Sequence, residues 1–330
     1  MNNKNNCPTD EVQHDPVEIT SVAEEDFSVV LDILESAFPD MSRSFFYSLT
    51  MRDPWYKSKY SLIARRKDDS YAHVQIFNRI LALGGGEISF GGIGSVATRP
   101  ENRGCGYASM LLKRSLDVMH EECMAGSFLF TSIQPFYEKL GWRTIKQMEQ
   151  DIAVDGLMEL SFKPQWIRPM KESDIPELQA VYRRIQKRNG GGIIRTEEYW
   201  RARSTWLTHL PVVIIEDDEI LGYFYFAQYD LKKPILYITE YGLARNDTAI
   251  LERTLRMMAR KAEELKCHTL RGFFMHDPFW RDYLSKRNLI TGKRDFDYLM
   301  WNNIGDENRF DMIQQSVDKQ QLLFWTTDAF

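Results

Sequence analysis

A chain of 330 residues, 43 % hydrophobic and 27 % charged, has the composition of a folded globular protein and the length for two domains with a core each. Its formal charge of −5, with no basic stripe and no aromatic–basic interleaving, argues against a nucleic-acid partner and leaves room for an acidic face that attracts a cationic amine. The polar N-terminus (M-N-N-K-N-N-C-P-T-D-E), the lack of an apolar run of membrane length, and four cysteines (Cys7, Cys105, Cys123, Cys267) without C-x-x-C or zinc spacing predict a cytoplasmic protein with no membrane segment and no metal.

Residues 1–15 read as a disordered arm. A strand follows over Val17–Thr20, and Glu24, Glu25 and Asp26 then suit a helix start. Helices are predicted over about 25–37 and 43–50, and strands over Tyr60–Arg65 and Tyr71–Leu83. Gly84-Gly85-Gly86 makes a hairpin turn into a strand over Glu87–Thr98. Beyond it come a helix over 106–124, a strand over Ser127–Thr131, a short helix over Pro135–Leu140 and a final strand over Arg143–Ile152. Strands alternating with helices, plus one hairpin, give an α/β layer on a mixed sheet.

The stretch S-V-A-T-R-P-E-N-R-G-C-G-Y-A, Ser95 to Ala108, is the most informative. Val96 and Thr98 end a strand that Pro100 stops by removing a ladder donor. Gly104 and Gly106 permit a sharp turn close to a ligand, and a helix opens at Tyr107 with Leu111, Leu112, Leu116 and Met119 on one face. Free amides in that first turn, the helix dipole and Arg103 together describe an anion site. The dinucleotide pattern G-x-G-x-x-G fails, because Ser109 stands at the third glycine, and no G-K-[ST] follows for a Walker loop.

The chain also repeats itself. I-T-S-V-A-E-E-D (Ile19–Asp26) recurs as I-R-P-M-K-E-S-D (Ile167–Asp174), and P-F-Y (Pro135–Tyr137) recurs as P-F-W (Pro278–Trp280). Two tandem copies of one fold follow, each a mixed β-sheet flanked by helices, over 16–155 and 166–302. The joint lies near Gly156–Gln165, and residues 303–330 form a tail whose apolar Leu322–Trp325 should pack on the body. At the repeat offset Arg103, Gly104 and Gly106 become Asn246, Asp247 and Ala249. A carboxylate there opposes an anion, so the second copy should support or cover the first.

The R-x-x-G-x-A of Arg103–Ala108 resembles motif A of the GNAT superfamily of N-acetyltransferases. F-T-S-I-Q-P-F-Y-E-K-L-G-W, Phe130 to Trp142, resembles the end of motif B, and Leu178–Trp200 resembles the second domain of the tandem-GNAT, Eis-type enzymes. The resemblance implies that Val96, Thr98, Arg103, Gly104, Cys105, Gly106, Tyr107 and Ala108 bind acetyl-CoA as acetyl donor. It implies that Tyr137 protonates the leaving thiolate. Thioester chemistry fits this, since a thiol of pKa about 8.5 needs a proton and a tyrosine near 10 can give one.

The amine must lose a proton. The strand before the anion turn reads Gly91-Gly92-Ile93-Gly94 where the family often has a glutamate, and the nearest acid is Glu87. Eis-type enzymes use their own C-terminal carboxylate, which here is Phe330, although the sterol-carrier-like third domain of that family has no counterpart in this chain. The expected function is acetyl transfer to a primary amine: a polyamine, an aminoglycoside or a lysine side chain. A non-catalytic CoA-binding sensor or scaffold is the alternative. Segments 38–58 and 187–206 are expected to be loops that build the acceptor pocket. Trp200, Trp206 and Trp280 read as core or cleft walls, His276-Asp277 as a helix start, and His120 with Cys123 supply too few ligands for zinc.

Overall fold

The computed structural model describes residues 16–328 apart from Asp68, 161–166, Thr208, His209 and Leu323, so the expected arm over 1–15 and Phe330 lie outside the described residues. The first half runs β1 (Glu18–Ser21), α1 (Phe27–Ala37), α2 (Arg43–Met51), β2 (Ser61–Arg66), β3 (Asp69–Leu83), β4 (Gly86–Thr98), α3 (Tyr107–Glu121), β5 (Gly126–Phe130), α4 (Gln134–Glu138), β6 (Arg143–Thr144) and β7 (Gln147–Ala153). The second runs β8 (Ile167–Pro169), α5 (Ile175–Asn189), β9 (Gly191–Ile193), α6 (Glu197–Trp206), β10 (Val212–Glu216), β11 (Glu219–Ala227), β12 (Ile235–Leu243), α7 (Thr248–Glu264), β13 (Thr269–Gly272), α8 (Pro278–Lys286), β14 (Ile290–Phe296), β15 (Leu299–Asn303) and α9 (Arg309–Asp318).

The two halves open with the same local device. Asp26 accepts the Ala23 amide at 2.9 Å, and Asp174 accepts the Lys171 amide at 2.7 Å. Both aspartates then cap a long helix with φ −81° and ψ −14°. The carboxylate satisfies a donor left unpaired at the turn and sits at the positive end of the helix, which is why I-x6-D recurs. Behind the helices lie two mixed sheets, one ordered β1-β2-β3-β4-β5-β15-β6 with β9 added on β3, the other β14-β7-β13-β12-β11-β10-β8. α3 buries Leu111, Leu112, Val118 and Met119 toward the first sheet. Gly91 on β4 leaves room there for the Met119 side chain, whose sulfur a Cβ would strike.

One expectation is corrected. Arg143–Ile152 is not a single strand of the first domain but two strands in different sheets. β6 pairs with β15 in the first sheet, while β7 crosses over and lies between β13 and β14 in the second. In exchange β15, from the second half, fills the place between β5 and β6. The exchange buries Trp301 completely against Phe128, with ring centroids 4.4 Å apart, and only a glycine at position 126 leaves space for that indole. One apolar cluster therefore runs through both halves, taking in Phe90, Phe128, Trp280, Trp301 and Phe324. Burial of each such aromatic contributes on the order of 2–3 kcal/mol.

The segment 187–206 is likewise not a loop. It carries the end of α5, then β9 and α6, with Trp200 and Trp206 buried in the core. Trp280 is core as well, and Asp277 caps the start of α8 through the Phe279 amide at 2.8 Å.

Candidate functional site

β4 pairs with β5 in parallel only from Gly91 to Ile93, opposite Ser127 to Leu129. Past that point the two strands separate, and β4 bulges. Gln75 faces Gly94 and His73 faces Ala97, so Ser95 and Val96 together oppose Val74, with Ser95 at φ +51°. A bulge of this kind re-aims the backbone, and here it turns β4 away from β5. His73 fixes it. Its fully buried ring lies with Nδ1 3.2 Å from the Ser95 carbonyl and Nε2 2.9 Å from Ser61 Oγ. Burial pushes this imidazole down to about 4, so it is neutral. A carbonyl can only accept, so the one ring proton is on Nδ1 and the Ser61 hydroxyl donates to Nε2.

Beyond the bulge, Gly104 and Gly106 both have positive φ, +84° and +83°, where side chains are strained. Gly106 is the N-cap of α3, and no side chain caps the helix amides. A Cβ at Gly106 would meet nothing within 4 Å, so those amides open onto free space. That space is a groove of about 480 Å³. Val96 and Thr98 form one wall, Arg103, Gly104, Gly106, Tyr107 and Ala108 the floor, and Ile133, Phe136 and Tyr137 the opposite wall. An uncapped helix start beside an arginine fits a diphosphate, and the splayed edge of β4 fits an extended amide-bearing arm.

Tyr137 stands in α4 with only 8 % of its surface exposed. Phe136 and Trp142 pack edge-on against its ring at 4.9 and 6.1 Å. Burial pushes the phenol up to about 12, so it keeps its proton at neutral pH and can donate it. Of the expected cofactor residues, Cys105 is not on the groove surface and packs instead with the cluster around α3. Glu87 does not reach the groove either. It is exposed at the hairpin end of β4, opposite Ala82, and nine residues of strand, about 30 Å, separate it from Val96. Phe38, Asn102, Ile133 and Phe136 also line the groove, and sequence reasoning missed them. Phe136 carried a signal, being adjacent to Tyr137 in the repeated P-F-aromatic motif.

In the corresponding region of the second half the chain's own residues enter the splay, although Ile238, Thr239, Phe273 and Thr326 also border a cavity. β12 separates from β13 after Ile238 and bulges at Thr239, between Ile238 and Glu240. Thr326 Oγ1 donates to the Thr239 carbonyl at 3.4 Å, and Thr327 Oγ1 donates to Glu240. Arg195 pairs with Glu240 at 2.7 and 3.0 Å and with Asp328 at 2.6 Å, all of them buried, and Arg203 adds a bond to Glu240 at 3.0 Å. Although burial opposes it, the two guanidinium groups hold the Glu240 carboxyl down to about 2. The start of α7 is closed too, because Asp247 accepts the amides of Ala249 at 2.8 Å and Ile250 at 3.1 Å. Among the described residues no group of three or more His, Cys, Asp or Glu could hold a metal ion, and no helix is long and apolar enough to cross a membrane.

Residues 18–145 match the model of an acetyltransferase (GNAT) domain. No curated protein shows a significant match to the sequence. In three dimensions the chain resembles a probable N-acyltransferase from Enterococcus faecalis V583, with a TM-score of 0.67 at 17 % identity over 88 % of this chain and 73 % of that one. Eis1 from Mycobacterium abscessus gives 0.59 at 13 % identity, over 87 % and 73 % of the two chains. The N-myristoyltransferase of Saccharomyces cerevisiae with bound myristoyl-CoA gives 0.57 at 13 %, over 88 % and 84 %. At such identities the likeness concerns the fold.

Proposed function

We propose that this chain, whose residues 18–145 match an acetyltransferase (GNAT) domain, transfers an acetyl group from acetyl-CoA to a primary amine, of the range that includes polyamines, aminoglycosides and lysine side chains. The observation that carries this reading is the continuity of one groove, from the uncapped start of α3, along the splayed edge of β4, to the Tyr137 phenol. The amides around Gly104–Ala108 and the Arg103 guanidinium hold the diphosphate of the donor. The Val96 and Thr98 backbones hold its extended arm as an added strand would. A β4 amide freed by the splay donates to the carbonyl oxygen as it becomes negative. The unprotonated amine nitrogen attacks the thioester carbon, the C–N bond forms, the C–S bond breaks, Tyr137 gives its proton to the departing sulfur, and the proton shed by the nitrogen restores the phenol through solvent.

Tyr137→Phe tests this. Thiol release from acetyl-CoA in the presence of an amine should fall about 100-fold in kcat, while calorimetric CoA affinity stays unchanged. CoA binding with no thiol release from the wild type, across a broad amine panel, would instead establish the non-catalytic CoA-binding module.

A further inference from the structure

A second cavity, of about 560 Å³, lies between the two halves, and its lining and that of the groove draw on consecutive residues of the β5–α4 segment. Phe130, Thr131 and Ser132 face the cavity, and Ile133 and Phe136 face the groove. Phe130 to Ser132 are also the residues that follow the last β4–β5 pair, Ile93–Leu129. The cavity is thus lined by the β5 arm of the splay, whose β4 arm lines the groove.

Its walls are aromatic and carry both signs of charge. Phe273, Phe296 and Tyr237 line the interior. Tyr229 and Tyr298 stand at the mouth, 66 % and 48 % exposed, and stack edgewise on Tyr237 and Phe296 with centroids 4.9 and 5.1 Å apart. Glu149, half-buried on the exchanged strand β7, projects a carboxylate into the cavity lining, and Arg294 sits directly across from it in the β7–β14 register. Arg271 is already engaged by Asp151 through two bonds of 2.6 and 2.7 Å, and Lys233 leans on Asp230 at 3.6 Å.

We infer that this cavity binds the acceptor, and that the acceptor is an amine carrying its own anionic group on an apolar or aromatic body, as a free amino acid does. Glu149 receives the ammonium and takes one proton from it, which frees the nitrogen lone pair for attack; the second nitrogen proton leaves after the C–N bond forms and restores the Tyr137 phenol through solvent, and Arg294 receives the anion. Burial pushes the Glu149 carboxyl up to about 7, against the pull of Arg271 and Arg294 and with Asp151 adding to the rise, which suits a group that both pairs with and deprotonates an amine. A cavity of this volume is of ordinary size for a small-molecule site.

The inference rests on the acyl-transfer reading, and its test separates the two. Thiol release from acetyl-CoA is measured with free amino acids, with the matching decarboxylated amines, and with spermidine, and CoA binding is measured in parallel. The best amino acid should exceed its decarboxylated partner at least about tenfold in kcat/KM, the worth of one charge-assisted hydrogen bond. Arg294→Gln should abolish that preference. Glu149→Gln should lower kcat/KM for both partners and remove the ionisation near neutral pH from the rate profile, with CoA affinity unchanged. Equal or better use of spermidine or of the decarboxylated amines, no use of any amino acid, or unchanged kcat/KM in both variants would overturn the inference while leaving the donor site intact. Loss of CoA binding by the wild type would strike the underlying reading instead.

Discussion

The two halves of this molecule begin their third long helix in opposite ways. α3 starts on Gly106, in the left-handed region, with its amides uncapped and facing a groove. α7 starts on Asp247, in extended conformation, with its first amides already bonded to that residue's carboxylate. The strands tell the same story. The splay beside β4 borders the groove that takes in the uncapped helix start, whereas the splay beside β12 holds Thr326, Thr327 and the Arg195–Glu240–Asp328 ion cluster and borders a cavity that the start of α7 does not line. One fold can thus be read as a receptor or as a support according to whether its hydrogen-bonding groups are left for a ligand or satisfied by the chain itself.

The sharpest way to break this comparison is to attack the filled splay. Glu240→Ala strands the buried Arg203 guanidinium and leaves Arg195 with Asp328 alone, and should cost roughly 3–5 kcal/mol of stability, read by urea denaturation, with CoA affinity of the folded protein unchanged at low temperature. Next comes Gly106→Asp, which puts an anion and a Cβ at the open helix start. CoA affinity should fall at least about a hundredfold, or about 2.7 kcal/mol, by calorimetry, and the positive φ at this position should lower the melting temperature by a few degrees, an effect of about 1 kcal/mol. The smallest effect belongs to Asp247→Ala, which removes an N-cap and should cost about 1 kcal/mol of stability without creating a second CoA site. A second bound equivalent of CoA in that variant would show that the self-cap alone closes the second copy.

Much of the site was legible because its chemistry is local. Gly104, Gly106 and Arg103 announce an anion turn by their own spacing, and the PFY and PFW triplets place Tyr137 and Trp280 at matching points of two repeats. The aspartate caps at Asp26 and Asp174 were equally readable, since a helix start is specified within a few residues. What could not be read depends on pairing at a distance. The alternation along 143–152 is the same whether the strand stays in its own sheet or crosses to the other, so the exchange of β7 and β15 leaves no local mark. Glu149 was passed over for that reason. Its neighbours Arg294 and Tyr229 are brought to it only by the crossed strand. Glu87 was considered because of its nearness in sequence to the anion turn, and the length of β4 carries it out of reach.

The crossed strands constrain motion as well as shape. Each sheet is completed by a ribbon belonging to the other half, so opening the seam between them would require breaking β-ladders, not merely rolling one smooth face over another. Clamshell breathing is therefore denied to this molecule, and whatever enters the space at the seam must pass rings that swivel at its lip, Tyr229 and Tyr298, on the fast timescale of exposed side chains.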